Sequence, residues 1–381
     1  MKTIGIICEY NPFHLGHKKQ IDCLRSLYGE DCAIVCLMSG NFVQRGMPAI
    51  FDKSLRAQAA MMCGADLVLE LPVTYSLSSA EGFAAGGVKI LSGFCDSLCF
   101  GTENGSKESL TATARALLSD DFSPALKAEL ETGKSFPAAR QTALEKLGVD
   151  TMLLSSPNDI LGVEYCKAIL AQGSSMEILP IHREGSYHAE VADTENPSAT
   201  AVRNLILGKH DWKSCIPGTA HALFEGAPVH MLVCGERGML YRLRTMTDAE
   251  FEALPYGSEG LWRRLMKASR SCASLEDILT AVKSKRYTRT RLDRMVMCAY
   301  LGITKEMLEA PAPYARVLAF NDTGKAVLKK ARLSGSFPHT GEAVDHPYQL
   351  LERRCDDLYG LFRQDSSAAP GQESQRRVHI L

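Results

Sequence analysis

Through the first half of the chain, short unbroken apolar runs alternate with longer segments whose apolar residues recur at helical spacing. Ile4–Cys8, Ala33–Met38, Asp66–Leu71, Ser97–Gly101 and Met176–Ile181 are short and almost uniformly apolar, the pattern of strands covered on both faces. Between them, Gly16 to Leu27, Asp52 to Gly64 and Glu81 to Leu91 read as helices. The second of these has an Asp N-cap and a Gly stop, and Pro72 closes the strand that follows it. Buried strands joined by helical crossovers predict an α/β fold, a doubly wound parallel-sheet (Rossmann-like) domain. Ligands of such sheets lie beyond the carboxyl ends of the strands.

The alternation fades after about Trp212. Residues 247–309 and 323–363 predict helices. The expected organisation is a catalytic domain over 1–210 with a polar helical insertion at 106–150, then a mostly α-helical domain over 211–364. The last stretch, 365–381, is polar and contains Pro and Gly, a composition that predicts disorder.

Composition narrows the function classes. With 43 Lys and Arg against 44 Asp and Glu the net charge is −1, so general coating of nucleic acid is not expected, although a local basic patch is. None of the thirteen cysteines forms a Cys-x-x-Cys, and the pairs Cys32/Cys36 and Cys95/Cys99 sit inside strand-like runs with no nearby His. They read as small buried hydrophobes of a reducing cytoplasm, not as disulfides or zinc ligands. No run of 18 apolar residues and no basic segment ahead of a long apolar core occurs, so neither a membrane span nor a signal peptide is expected.

The first strand runs into "EYNPFHLGHKKQ", a turn with Pro12 and Gly16 that opens a helix at His17 and Lys18. Free N–H groups and a partial positive charge at a helix N-terminus suit phosphate. Imidazoles such as His14 and His17 can donate to its oxygens, and Gly16 would let a ligand approach the backbone. Arg183, just after the fifth strand, can clamp phosphate, and "NPSATAVR" sets Ser198 and Thr200 before a helical run with Arg203 one turn on. Gly101 ends the fourth strand, where it is either a turn residue or a seat for nucleotide. "SGNFVQRG" at 39–46 follows the second strand and suits a small acyl group or a flipped base. Asp52, Lys53 and Arg56 are candidates of lower rank. "KSKRYTRTRLDR" carries Lys283, Lys285, Arg286, Arg289, Arg291 and Arg294 against Asp293, with Tyr287 available to stack on a base. "WRRLMKASR" at 262–270 extends the same surface.

The motif "EYNPFHLGH" resembles the nucleotidyltransferase superfamily marked by His-x-Gly-His. More narrowly, the chain resembles the tRNA(Met) cytidine acetate ligase family. "MSGNFVQRGMPAIFDKSLRAQAAMMCGADLVLELP", "CFGTE", "SPNDILGVEY", "REGSYH", "SATAVR" and "KSKRYTRTRL" carry the likeness, in that order, to about residue 363. The resemblance implies an ATP-dependent ligase. Such enzymes activate acetate as acetyl-adenylate and pass the acetyl group to N4 of the wobble cytidine of elongator tRNA(Met), with magnesium on the ATP phosphates and no acetyl-CoA. It implies His14 and His17 as catalytic residues. It places ATP on Ile7, Cys8, Glu9, Tyr10, Asn11, Pro12, Phe13, His14, Leu15, Gly16, His17, Lys18, Lys19 and Gln20, and on Gly101, Asn158, Arg183, Ser198, Thr200 and Arg203. It places tRNA on Lys283, Lys285, Arg286, Tyr287, Arg289, Arg291 and Arg294. Asn158 by itself reads equally as a helix cap. Two other readings are a small-molecule adenylyltransferase, which would share the first motif, and a tRNA-binding protein without turnover.

Overall fold

The computed structural model describes residues 1–29, 31–182, 196–334, 337–341, 345–365 and 368–381. Ten strands occur among them: β1 (Lys2–Cys8), β2 (Cys32–Ser39), β3 (Phe42–Val43), β4 (Met47–Pro48), β5 (Leu67–Leu71), β6 (Ser97–Thr102), β7 (Glu177–His182), β8 (Ala315–Phe320), β9 (His339–Thr340) and β10 (His379–Ile380). β3 and β4 pair as a small hairpin apart from the sheet, whose order is β10-β8-β5-β2-β1-β6-β7, with β9 also on β8. β5, β2, β1, β6 and β7 are parallel throughout. The predicted fold class is thus the one observed, and each of the five anticipated strands lies in the parallel part.

Two features depart from the sequence reading. The apolar run Ala315–Phe320 leaves the helical half of the chain and joins the sheet antiparallel to β5. Burying it covers an edge that would otherwise expose a row of backbone donors and acceptors. The segment from 365 onward, expected to be disordered, has a helical turn at Gln372–Gln375 and a strand, β10, on β8. Polar composition misled there because the tail's polar residues are held by buried charges: Glu373 is only 2% exposed.

Alternation along the strands sorts the core. Ile4, Ile6 and Cys8 face a cluster with Leu24, Ile34, Cys36 and Cys99, whereas Ile7 faces one with Leu37, Phe83, Val88 and Phe100. A third cluster unites the helices of the second half with Phe42 of the hairpin. All thirteen cysteines are free. Burial pushes the Cys99, Cys166 and Cys298 thiols up to about 12, so they act as apolar filler rather than nucleophiles. No helix among the described residues is long and apolar enough to cross a membrane.

Candidate active site

The central strand β1 delivers its carboxyl end into a cavity of about 410 Å³. Ile7, Cys8, Glu9, Tyr10, Asn11, His14, Gly16, His17, Lys19 and Gln20 line it on one side, with Gly101, Asn158, Pro197 and Ala199 facing them. Of the stretch expected to hold nucleotide, Pro12, Phe13, Leu15 and Lys18 do not line it. Phe13 is wholly buried in the core, and Lys18 turns outward to pair with Asp22 one helical turn on. Tyr10 holds a positive φ of 45° while its ring packs on Phe13 and His17. Strain of that kind persists where packing over-determines it, often at a functional site.

The two histidines are built into the start of the helix Leu15–Tyr28. His14 is its N-cap: Nδ1 accepts from the Gly16 N–H at 3.1 Å, and Nδ1 of His17 accepts from the His14 N–H at 3.3 Å. The rings stack with centroids 3.7 Å apart. A ring nitrogen that accepts carries no proton, so each neutral imidazole is protonated at Nε2. Capping thereby sets the tautomer, and it leaves the His14 and His17 Nε2–H groups as donors at a positive helix end. Gly16 has a more local purpose than the sequence suggested. A Cβ there would lie 2.9 Å from the His14 ring, so the glycine makes room for the imidazole that caps the helix.

The other predicted residues divide. Asn158 lines the cavity and does not cap its helix; its Nδ2 donates to Glu103 Oε1 at 2.7 Å. That bond leaves the Asn158 carbonyl oxygen to accept. Asp159, fully buried, accepts from the backbone N–H groups of Glu103 and Asn104, both at 3.0 Å, and so holds the loop that carries Glu103. Neither Glu103 nor Asp159 was singled out in the sequence, although "GTEN" directly after an apolar strand was a usable signal. Ser198 is an N-cap, accepting from the Ala201 N–H at 3.0 Å, and does not line the cavity. Arg203 donates to the Thr200 hydroxyl at 3.0 Å and to the Asn11 carbonyl at 2.7 Å. It thus docks this helix on the opening turn. Arg183 lies outside the described residues.

Loop 39–46 does reach the site, through Gln44 and Arg45. The lower-ranked trio beside it is structural. Arg56, fully buried, donates to the carbonyls of Phe51, Glu9 and Ser39 at 2.9, 2.6 and 3.1 Å and joins the ends of β1 and β2. Lys53 is held between Glu70 at 2.8 Å and Glu373 at 3.0 Å. Burial works to lower its pKa, but those two carboxylates win and hold it above the ordinary lysine range. Asp52 caps its helix; burial works to raise its pKa, yet the Arg376 guanidinium holds it well below the usual carboxylate range.

The basic stripe is largely occupied. Arg289 pairs with Glu276 and Asp293, Arg291 donates to the Tyr256 carbonyl, and Arg286 pairs with Glu259. Tyr287 is 5% exposed with Arg264 and Arg291 against its ring, so the predicted stacking on a base is not open to it in this conformation. Lys283, Lys285 and Arg286 remain exposed, as do Arg263, Arg264 and Lys267 of the helix Leu261–Ser269. The last three have no ion-pair partner among the described residues. Arg294 lies against the Tyr256 ring and approaches the Gln44 carbonyl, so the stripe ends at the cavity wall.

Comparison with known proteins fits this arrangement. The model of the HIGH Nucleotidyl Transferase family matches residues 1–374. A tRNA(Met) cytidine acetate ligase of Clostridium acetobutylicum is 35% identical over the full length of both chains, and one of Clostridium novyi is 38% identical over 89% of each. The chain belongs to the tRNA(Met) cytidine acetate ligase family. It is an enzyme of that family, within the HIGH nucleotidyl transferases. Two solved structures of Thermotoga maritima TmcAL cover all of both chains. The apo form has a TM-score of 0.92 at 30% identity. The form bound with alpha-thio ATP has 0.89 at 31%.

Proposed function

We propose that this ligase activates acetate with ATP as acetyl-adenylate, releasing pyrophosphate, and transfers the acetyl group to N4 of the wobble cytidine of elongator tRNA(Met), in the cytoplasm and without acetyl-CoA. The observation that carries the reading is the stacked His14–His17 pair, with its tautomers set by the helix cap, inside a cavity at the carboxyl end of the central strand. That a structural relative was solved with an ATP analogue supports the nucleotide.

In this scheme the acetate carboxylate attacks the α-phosphorus, and the Nε2–H groups of His14 and His17 donate to oxygens whose charge grows in the transition state. Lys19, whose Nζ donates to Asn196 at 2.8 Å, keeps a positive charge between the helix start and the 196–198 segment. Gly101 and Asn158 seat the nucleoside, and Arg183 holds the polyphosphate with the helix start at Ala199, which Ser198 caps and Arg203, bonded to Thr200, docks on the opening turn. Magnesium carried on the phosphates would offset their charge. The cytidine amine then attacks the acetyl carbonyl and AMP leaves. Burial raises the thiol pKa of Cys8, the cysteine on β1 that lines the cavity, well above its ordinary value, which disfavours an acyl intermediate on that residue.

The test is incubation of the purified protein with ATP, magnesium, labelled acetate and unmodified elongator tRNA(Met). Label on the wobble cytidine with AMP formed is the expected result. ATP consumption without labelled tRNA would discard the substrate, and no ATP use would discard the reaction.

The tRNA surface we propose comprises Lys283, Lys285 and Arg286 with Arg263, Arg264 and Lys267. Arg289, paired with Glu276 and Asp293, and Arg291 and Arg294, packed against Tyr256, shape it beside Tyr287. Replacing Arg263, Arg264 and Lys267 together with alanine should weaken tRNA binding and reduce the slope of log affinity against log salt by about 2–3, close to one for each phosphate left without its cation. Fluorescence anisotropy across a salt series measures it. An unchanged slope would remove this helix from the interface.

A further inference from the structure

A second, nearly filled pocket is lined by Asn41, Lys53, Glu70, Glu352 and Asp356, and residues near the end of the chain pair with Lys53 and Asp356 of its lining. Arg376 grips Asp52 with two nitrogens at 2.6 and 3.0 Å and reaches Asp356 at 2.9 Å. Glu373, from the same helical turn, pairs with Lys53 at 3.0 Å and with Arg316. Arg376 Nε also pairs with Glu373 at 3.0 Å, and of its three acids Asp356 and Asp52 accept in addition from Asn41 Nδ2, at 2.8 and 3.3 Å. Asn41 Oδ1 in turn accepts from the Lys53 N–H at 2.8 Å, and its carbonyl accepts from the Ala49 N–H at 2.9 Å. Asn41 therefore closes the base of the β3–β4 hairpin.

The tip of that hairpin is Gln44–Arg45, which supplies one stretch of the cavity wall beside β1 and the helix Leu15–Tyr28. It is held from above by the Gln44 N–H, which donates to Glu9 Oε1 at 2.8 Å. On its outer side Gly46, at φ 74°, meets the backbone of Asp293 and Arg294 so closely that a Cβ would lie 2.5 Å from it. The hairpin is thus set by three supports, and the one beneath it, Asn41 held by Asp52 and Asp356, is bridged by Arg376, which lies 324 positions from Asp52 in sequence.

We infer that the 371–381 segment is a strap that positions the active-site hairpin, with Arg376 as a positioning residue acting through Asp52, Asp356 and Asn41 on Gln44 and Arg45. This rests on the proposed use of the cavity for ATP and acetate activation. An unbridged Asp52–Asp356 pair would repel across the site that Asn41 must occupy. Arginine suits the task because its planar fork meets two carboxylates at once, which a lysine ammonium does only loosely.

The full chain carrying Arg376→Ala, Arg376→Gln or Arg376→Lys tests this by two readouts at a temperature where circular dichroism shows each variant folded. Amide exchange over residues 42–48 should quicken by about tenfold or more in Arg376→Ala, while the helix Leu15–Tyr28 keeps its wild-type protection. The kcat/KM for tRNA acetylation should fall by about tenfold or more, with partial recovery in Arg376→Lys. Should the alanine variant fail to fold, Arg376→Gln, which keeps one donor, takes its place. Hairpin exchange or kcat/KM within about twofold of wild type would overturn the inference, because an ordinary stabilising contact moves neither. If the wild-type protein does not acetylate tRNA, the proposed reaction falls, and hairpin exchange alone then decides the strap.

Discussion

Exchanging His14 for asparagine is expected to lower the rate of acetate-dependent ATP–pyrophosphate exchange by about 10²-fold or more, the loss typical of one preorganised donor at a developing anion. Asparagine isolates the chemistry from the fold. Its side-chain oxygen can still cap the helix, one of the best residues for that position, whereas alanine would forfeit about 1 kcal/mol of helix stability. What asparagine cannot supply is the Nε2–H that His14 presents once its Nδ1 has accepted from Gly16. His17→Ala should cost a comparable factor, because His17 Nδ1 is engaged by the His14 N–H in the same way. The double variant should lose less than the product of the two, since the stacked rings act as one unit. A His14→Asn enzyme with near wild-type exchange would sink the proposed mechanism.

Lys53→Met is expected to destabilise the protein by about 3–5 kcal/mol, the cost of leaving the buried Glu70 carboxylate without its cation. Lys53 is 3% exposed, and its partners Glu70 and Glu373 are 8% and 2% exposed. Methionine fills the volume of the aliphatic stem, so packing loss contributes little and the measured change reports the orphaned charge. Urea unfolding of wild type and variant gives the figure directly. A stability change below about 1 kcal/mol together with lost activity would instead return Lys53 to the active site, as one of the candidates that follow the second strand. Adding Glu70→Gln to Lys53→Met should recover part of the loss, because it removes the acid left without a cation, whereas Glu373 keeps Arg316 and Arg376.

Where reading the chain succeeded, the signal was local. The five parallel strands are short apolar runs closed by turn residues, and burial on both faces of a parallel sheet leaves that record in the sequence whatever the partners are. The histidine pair was legible for the same reason, since its strand–turn–helix context lies within seventeen residues. β8 was missed although "ARVLAF" has strand character, because its place is an antiparallel edge beside β5, far back in the chain. The tail was missed because composition counts polar residues without knowing which of them meet a buried partner.

The basic stripe shows the limit most directly. Its charge was visible, but Arg289 and Arg291 are consumed by Glu276, Asp293 and the Tyr256 carbonyl, while the shorter basic run at 262–270 keeps three cations in solvent. By itself, then, the sequence determined the parallel sheet, the order of its strands along the chain and the histidine-capped turn proposed to bind phosphate, because each depends on neighbours a few residues apart. Tertiary structure alone decided which charges are spent inside the protein, which face the solvent, and how Arg376 comes to lie beneath the hairpin of Gln44 and Arg45. Those outcomes depend on electrostatic pairing between segments hundreds of residues apart, and Coulomb attraction leaves no periodicity along the chain.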